Sequence, residues 1–184
     1  MKQATIRISI SGFALLAVLA AGPATAKAVA EDRDPGALCD RLAATNDGSA
    51  SAPPVRLRDM KANAAAQACQ AAVAAPGTRP RHHLQLARAL IKLGRPEAAR
   101  AHLVTAAGHA NAAALYILGQ LHHTGLGVAQ DKSRAFRLYR RALRQGYLEA
   151  AYGLIRLLED PKSAHFDPVE AEAARLLLMG GGRL

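Results

Sequence analysis

Apolar residues recur every three or four positions along much of this chain, which is the spacing of one face of an α-helix. The stretch from Leu84 to Gly108 shows the pattern clearly, with an apolar segment, a break at Gly94-Arg95-Pro96 and a second apolar segment through Ala107. Gly and Pro are strong helix terminators. The stretch therefore predicts two antiparallel helices joined by a turn.

The region before this pair predicts shorter helices. One is expected around residues 38–44, followed by a loop at 45–58 that is rich in Asn, Gly, Ser and Pro. Asp59 is placed to cap the next helix, which is Ala-rich, runs to about Ala75 and is stopped by Pro76-Gly77.

The second half of the chain repeats itself with an offset of 36 residues. Ala114–Gly119 aligns with Ala150–Ile155, and the same offset relates Asp131 to Asp167. Repetition at such a period is the signature of stacked helical units, in which each helix pair leaves an apolar face that the next pair buries. Small residues at the repeated positions let helix backbones approach closely, and Gly125 and Gly127 are expected to adopt positive φ in the turn.

The middle unit resembles the Sel-one-like repeat, a relative of the tetratricopeptide repeat. The resemblance is carried by an ordered set of small and aromatic positions, namely Leu118-Gly119, Gly125-Leu126-Gly127-Val128, Asp131, Ala135, Tyr139, Ala142 and Gly146. The preceding unit resembles an ordinary tetratricopeptide unit. The last unit departs from the pattern, because Ile155 replaces the helix glycine and Pro161 and Ser163 replace the loop glycines.

The predicted fold is therefore all-α, a short α-solenoid of stacked antiparallel helix pairs preceded by a signal peptide. The high Ala content with few aromatics and no Trp also favours helices over strands. The expected divisions are a signal peptide at 1–26, a charged and Pro/Ser-rich segment with a short helix at 27–58, and a repeat domain at 59–184. Its units are a capping helix at 59–77, a tetratricopeptide-like unit at 79–109, a Sel-one-like unit at 110–146 and a degenerate repeat or cap at 147–184.

The first residues have the features of a secretory signal. Lys2 and Arg7 precede an uncharged apolar run, and Ala24-Thr25-Ala26 supplies small residues at a cleavage site, so we expect cleavage after Ala26. The alternative is an uncleaved membrane anchor, which Ser, Gly, Pro and Thr within the run disfavour. The expected location is the periplasm or the medium, with no integral membrane segment after cleavage.

Two cysteines, Cys39 and Cys69, accompany this export signal. In an oxidising compartment they predict one disulfide, and two free buried thiols are the alternative.

Helical spacing also predicts a binding surface. In a stacked array the first helix of each pair lines the concave side, so residues opposite the core positions Leu115, Leu118 and Gly119 should form a stripe there. Tyrosines and arginines in such a stripe suit the binding of a peptide or helix, although the tyrosines could instead pack between repeats. The predicted protein-binding stripe contains Arg81, Leu84, Arg88, Ala113, Tyr116, Gln120, His123, Glu149, Tyr152, Arg156 and Glu159.

A second stripe is basic and lies on the second helix of the middle unit. It consists of Arg134, Arg137, Arg141 and Arg144, with Arg140 beside it. The chain carries a net charge of +10, so this stripe could meet an acidic protein or an anionic envelope polymer. The alternative is a solvated outer face.

Other chemistries find no support in the sequence. The adjacent pairs His82-His83 and His122-His123 point about 100° apart on a helix and do not form a chelating face, and no HExxH or CxxC motif is present. GxSxG, SxxK, P-loop and Rossmann glycine motifs are also missing. We therefore predict no metal, no cofactor, no catalytic residue and no small-molecule substrate. Nucleic acid is not an expected partner, because export removes the usual targets and no recognised module is visible.

These observations favour an exported adaptor or regulator that binds a partner protein through its solenoid surface. The resemblance implies the same class, since Sel-one-like proteins scaffold complexes or modulate signalling. The alternative is a cell-envelope enzyme or a peptidoglycan- or polysaccharide-associated factor that uses the basic face. Some exported Sel-one-like proteins have been linked with peptidoglycan or β-lactam chemistry, but the missing SxxK serine argues against transferring that role.

Overall fold

A computed structural model describes residues 34–45 and 52–180, and within these ranges the chain forms helices and no β-strand. The predicted signal peptide at 1–26 lies outside the described residues. No helix within the described ranges has the length and apolar character needed to cross a membrane. The α-helices are α1 Pro35–Ala43, α2 Ala62–Ala74, α3 Pro80–Lys92, α4 Pro96–Gly108, α5 Ala112–Thr124, α6 Lys132–Arg144, α7 Ala150–Leu158 and α8 Pro168–Met179, with a 3-10 helix at Leu57–Asp59.

Helix starts follow from capping residues. Asn111 caps α5, and Asp131 and Asp167 cap α6 and α8 by accepting hydrogen bonds from backbone N–H groups in the first turn. Asp131 and Asp167 are the residues that the 36-residue offset relates, so the repeat in sequence is a repeat of helix starts. Proline stands in the first turn of α1, α3, α4 and α8, where its missing N–H costs no hydrogen bond.

The glycines predicted to have positive φ do so. Gly125 ends α5 in the left-handed region at φ 78°, and Gly127 follows at φ 67°. A Cβ on Gly127 would lie 2.8 Å from the backbone nitrogen of Glu97, at the start of α4. The turn therefore packs directly on the preceding helix pair. Glycine is needed at position 127 both for the positive φ and for this close contact.

The predicted cap at Asp59 is wrong. Asp59 lies in the 3-10 helix and its carboxylate pairs with Arg56 at 2.8 Å. Helix α2 begins three residues later, and Lys61 at its N-cap makes no side-chain capping bond. The intervening Met60 is buried in the core, and Lys92 donates hydrogen bonds to the carbonyl oxygens of Arg58 and Met60, so this segment is held by tertiary contacts before the helix begins.

Each helix packs against the next along the chain, which confirms the predicted α-solenoid of helix pairs. In addition α1 contacts α3, and α5 contacts α7, whereas no two second helices among the described residues pack to a similar extent. The first helices of neighbouring pairs therefore contact each other at both ends of the array, α1 with α3 and α5 with α7. We call the surface formed by α1, α3, α5 and α7 the first-helix face.

The N-terminal helix α1 is the first member of a pair with α2. The predicted disulfide between Cys39 and Cys69 is present and joins the two helices, and both residues are fully buried. Thus α2, which was predicted as a capping helix, forms a pair with α1. The sequence pattern did not show this pair, because a loop separates α1 from α2 where the other pairs have short turns.

A single tyrosine organises the core of the C-terminal half. Tyr139 on α6 is 1% exposed and inserts between α5 and α7 at two glycines. A Cβ on Gly119 would lie 2.5 Å from the ring, and a Cβ on Gly153 would lie 2.6 Å from its other edge. Helix α7 therefore also has a glycine, Gly153, against this ring. It lies two residues before Ile155, which is the residue that the 36-residue offset aligns with Gly119.

Candidate functional site

Five residues of the predicted binding stripe meet around one cavity of about 240 Å³ between α5 and α7. The cavity opens on the first-helix face, and we call it the tyrosine groove. Tyr152 is its most accessible aromatic side chain, with 58% of its surface exposed. The stripe residues that line it are Tyr116, Gln120, His123, Tyr152 and Arg156.

The rest of the lining is mostly apolar and was not predicted. Ile91 comes from α3 and Leu126 from the turn after α5, so three successive helix pairs contribute to the groove. Periodicity within one helix could not reveal these contributions from other helices. The remaining lining residues are Ile117, Leu121, Thr124, Tyr139 and Gly153.

The chain has four tyrosines, and all of them lie at or beside this groove. The ring of Tyr116 is 5.8 Å from that of Tyr139 and 5.4 Å from that of Tyr147, both centroid distances typical of favourable tilted contacts. Gln120 donates a hydrogen bond of 2.8 Å to the Tyr116 hydroxyl. The Tyr139 hydroxyl is 3.4 Å from Nδ1 of His123. These contacts fix Tyr116 and Tyr139 as the rigid floor, while Tyr152 stands free at the rim.

The floor of the groove is uncharged at neutral pH. Burial raises the pKa of Tyr139 far above its ordinary value and also raises the pKa of Tyr116. Burial is likewise the main reason why the pKa of His123 is lowered, and the charges of Arg156 and Lys132 lower it further while Asp160 acts against them. The groove thus offers neutral aromatic groups with one cation, Arg156, at its edge.

Arg156 makes no hydrogen bond or ion pair with any residue that the structure describes. It lies beside the C-terminal end of α5, whose carbonyl oxygens have other donors. The left-handed cap at Gly125 donates to the carbonyl of Leu121, the Gln130 amide donates to that of His123, and the Thr124 hydroxyl donates to that of Gln120. The guanidinium of Arg156 therefore has no hydrogen-bond acceptor among the described residues.

The α3 part of the predicted stripe is occupied by the chain itself. Arg81 forms a two-bond ion pair with the buried carboxylate of Asp40 on α1, at 3.0 and 2.8 Å. Arg88 donates to three backbone carbonyl oxygens, as described below. The prediction is wrong at Leu84 and Ala113, which are 0% and 2% exposed and belong to the core. Helical spacing placed them on the stripe, but both side chains pack within the hydrophobic core.

The two stripe glutamates lie outside the groove. Glu149 lines a neighbouring cavity of about 620 Å³ together with Tyr152 and Tyr147. Glu159 forms an ion pair with Arg175 on α8. Neither carboxylate lines the tyrosine groove, so its edge is cationic.

The basic stripe on α6 faces solvent. Arg134, Arg137, Arg141 and Arg144 are all exposed, and their guanidinium groups form no ion pair with a residue in the described ranges. Arg140 beside them lies over the ring of Phe136 at 5.6 Å. Helix α6 contains no acidic residue, so its outer face is uniformly positive.

The histidines do not form a metal site within the described part of the chain. Nδ1 of His83 lies 3.1 Å from Nδ1 of His102, which is a hydrogen-bond distance between two rings. No group of three or more His, Cys, Asp or Glu side chains is suitably placed to bind a metal in residues 34–45 and 52–180. His122 is buried.

Comparison with known families agrees with this architecture. Residues 112–147 match the Sel1 repeat, and the match begins with α5 and ends just after α6. No curated protein sequence matches the chain significantly. Sel1 repeats commonly mediate protein interactions and are in general non-catalytic. Residues 112–147 are therefore a Sel1-like repeat of the tetratricopeptide-like superfamily, set within an array of stacked helix pairs.

Proposed function

We propose that this protein is an adaptor or regulator that binds a segment of a partner protein in the tyrosine groove. The observation that carries the proposal is the convergence of five stripe residues, two of them tyrosines, with a third tyrosine on one cavity of the first-helix face. Rigid aromatic side chains and arginine supply most of the binding energy in protein interfaces. The groove combines a fixed aromatic floor with a free tyrosine and an uncommitted guanidinium, which suits a ligand that contributes both apolar groups and hydrogen-bond acceptors.

The proposal is tested by site-specific photocrosslinking in intact cells. A photoreactive phenylalanine analogue replaces Tyr152, whose exposed position tolerates the change. The same analogue at Val104 on α4, which is 49% exposed, is the matched control on the second-helix side. We expect a discrete crosslinked partner from position 152 and none from position 104.

Variants of the groove then test whether the crosslink from position 152 depends on binding in the groove or only on chance proximity. Arg156→Gln and Gln120→Ala change exposed side chains and leave the helix packing intact. Each should reduce the crosslink formed from position 152 by several-fold, since each removes a polar group from the groove. If the two variants leave the yield unchanged, or if position 104 captures the same partner equally well, the groove is not the binding site.

We further propose that the protein is exported and works in the periplasm or outside the cell. The first 26 residues have the pattern of a cleaved signal, and the Cys39–Cys69 disulfide is the kind of bond that oxidising compartments maintain. Fractionation and N-terminal sequencing of the protein from its native host test this proposal. The expected product begins at Lys27. A cytosolic full-length protein would contradict it.

A second candidate function rests on the exposed basic stripe of α6. Its guanidinium groups have no acidic partner on their own helix, so they could bind an anionic envelope polymer by charge attraction. Sedimentation with purified peptidoglycan tests this candidate. Salt-sensitive pelleting that is lost in Arg137→Gln plus Arg141→Gln would favour it, while no pelleting would leave the adaptor as the function.

A further inference from the structure

The N-terminal half of the first-helix face holds an extended segment of the chain itself. Residues Pro53–Arg56, which we call the strap, have no helical or strand structure and cross beside α1 and α3. Arg56 has φ −66° and ψ 144°, which is the polyproline II conformation. The two prolines fix their own φ near the same value. The strap is therefore an apolar, proline-containing segment in an extended form.

The strap is held by its backbone and by one side chain. The N–H of Val55 donates to the carbonyl of Ala44 at 2.9 Å, and its own carbonyl accepts from Arg88 at 2.6 Å. The Val55 side chain packs against the hydrophobic core. The guanidinium of Arg88 also donates to the carbonyl oxygens of Ala43 and Ala44 at 2.8 and 2.9 Å. Arg88 thus joins an extended segment to the C-terminal end of a first helix.

Arg156 occupies the position in α7 that Arg88 occupies in α3. Both arginines lie on the first helix of their pair. Each also lies beside the C-terminal end of the first helix of the preceding pair, which is α1 for Arg88 and α5 for Arg156. The two arginines also take corresponding positions in the predicted protein-binding stripe. The difference is that Arg88 is fully engaged by carbonyl oxygens, whereas Arg156 has no such partner among the described residues.

The two sites belong to one continuous surface. Ile117 lines both the cavity at the strap, of about 330 Å³, and the tyrosine groove. Tyr147 lines the strap cavity, and its ring makes a tilted contact with that of Tyr116, which lines the groove. A chain in the groove would therefore lie on the same face as the strap, over the same kind of floor.

We infer that the tyrosine groove binds an extended, proline-containing apolar segment of a partner protein in the way that the first pair holds the strap. Arg156 donates hydrogen bonds to backbone carbonyl oxygens of the segment, and a proline or valine side chain packs on Tyr116 beneath Tyr152. Aromatic-lined grooves favour polyproline II ligands, because these segments are already extended and lose little entropy on binding. The inference rests on the proposed function and specifies the ligand.

A strap-like peptide tests the inference directly. The probe is acetyl-Ala-Pro-Pro-Val-Ala-amide, titrated into the full processed protein while backbone amide signals are followed by NMR, which detects weak binding. We expect saturable shifts at Tyr116, Tyr152 and Gly153, with no comparable shifts on α6. The matched peptide acetyl-Ala-Ala-Ala-Val-Ala-amide should bind at least about fivefold more weakly, because its extended form is less populated.

Protein variants assign the contacts. Arg156→Gln should weaken binding of the proline peptide about tenfold, in line with loss of a charged hydrogen-bond donor worth roughly 1.4 kcal/mol or more. Arg144→Gln on α6 removes the same charge from the molecule and should leave binding unchanged. Equal binding of the two peptides, or equal effects of the two substitutions, would overturn the inference.

Competition distinguishes failure of this inference from failure of the proposed function. An excess of the proline peptide should suppress the crosslink formed from position 152. A crosslink that persists, with no peptide shifts in the groove, would keep the adaptor function and discard the proline-containing ligand. Absence of both the crosslink and the peptide shifts would discard the two together.

Discussion

The two ends of the first-helix face differ in what covers them. At the N-terminal end the chain fills its own surface, with α1 fixed by a disulfide, an ion pair between Arg81 and buried Asp40, and the carbonyl contacts of Arg88. At the C-terminal end the equivalent surface is a cavity with a free tyrosine and a free arginine. The difference indicates that one repeat design serves as internal scaffold at one end and as an open site at the other.

The strength of the local contacts differs in the same direction. The N-terminal half is joined by buried polar contacts, in which Asp40 also accepts a hydrogen bond of 2.9 Å from the buried amide of Gln85. The C-terminal ion pairs are partly exposed, including Lys132 with Asp160 and Arg175 with Glu172. Partly exposed pairs contribute little to stability. The polar contacts should therefore contribute more to stability in the N-terminal half than in the C-terminal half, and the predictions below test this division.

The largest expected effect is removal of the disulfide. Cys39→Ala plus Cys69→Ala opens a loop of 30 residues, and on the chain-entropy model this should lower the free energy of unfolding by about 3–4 kcal/mol. Chemical denaturation measures the loss. Hydrogen exchange should accelerate mainly in α1 and the strap, and little in α5 and α7. Equal acceleration in both halves would show that the molecule is one cooperative unit without the proposed division.

The next prediction compares the two equivalent arginines. Arg88→Ala removes donors from three backbone carbonyl oxygens, and at roughly 1–1.5 kcal/mol for each lost bond we expect destabilisation of about 3 kcal/mol. Arg156→Ala, at the corresponding position, should change stability by less than about 0.5 kcal/mol, as exposed substitutions usually do. Thermal or urea unfolding of the two variants gives both numbers. Similar losses would mean that Arg156 also has a structural role.

The sequence did not predict most of this difference between the two halves. The 36-residue offset predicted the helix pairs of the Sel1 region, and helical spacing brought Tyr116, Tyr152 and Arg156 onto one surface, because both follow from local periodicity. The partner of Arg81 is 41 residues away on a helix outside the repeat pattern. Spacing within a helix states which side chains share a face, and it does not state what covers that face.

The glycines show the same limit at closer range. Gly119 was predicted to permit close helix packing, and it does so against the ring of Tyr139. Gly153 was missed, because the offset points to Ile155 while α7 presents a residue two positions earlier to the same ring. Contact between helices, and not strict repetition, decides which position must be small.

A third prediction tests this packing in the open half. Gly119→Val would place side-chain atoms inside the Tyr139 ring, where the Cβ alone lies 2.5 Å from it. Overpacking of a buried site should cost about 2–3 kcal/mol. Gly108→Ala is the matched control, because a Cβ there meets no atom within 4 Å. The measured quantity is the unfolding midpoint of each variant.

A smaller side chain at position 139 tests whether the clash with the Tyr139 ring causes the loss of stability. Tyr139→Leu combined with Gly119→Val should recover part of the loss relative to the sum of the single variants, since the two sites contact each other. Strict additivity would place the clash elsewhere. Because Tyr139 also forms the groove floor, the double variant should regain stability without regaining binding of the proline peptide.

The smallest expected effect is acid destabilisation shared by both halves. Burial lowers the pKa of five histidines in the folded protein, and these are His82, His83, His102, His122 and His123. The unfolded chain takes up their protons near pH 6.5 while the folded protein resists protonation. Below pH 6.5 the unfolded state therefore binds more protons, and stability falls as pH decreases toward the folded pKa values. We expect the melting temperature to drop by about 4 °C between pH 7.5 and pH 5.5, equivalent to roughly 1 kcal/mol.

The comparison of halves sharpens this last prediction. Protonation of both His83 and His102 would bring two N–H groups face to face at the 3.1 Å separation of their Nδ1 atoms, so acid should loosen α3 against α4. His102→Gln keeps one neutral partner and should flatten the pH dependence of the melting temperature. His123→Gln removes a single ring in the other half and should instead leave most of that dependence intact. A melting temperature that stays constant or rises on acidification would show that burial does not lower the pKa of these rings.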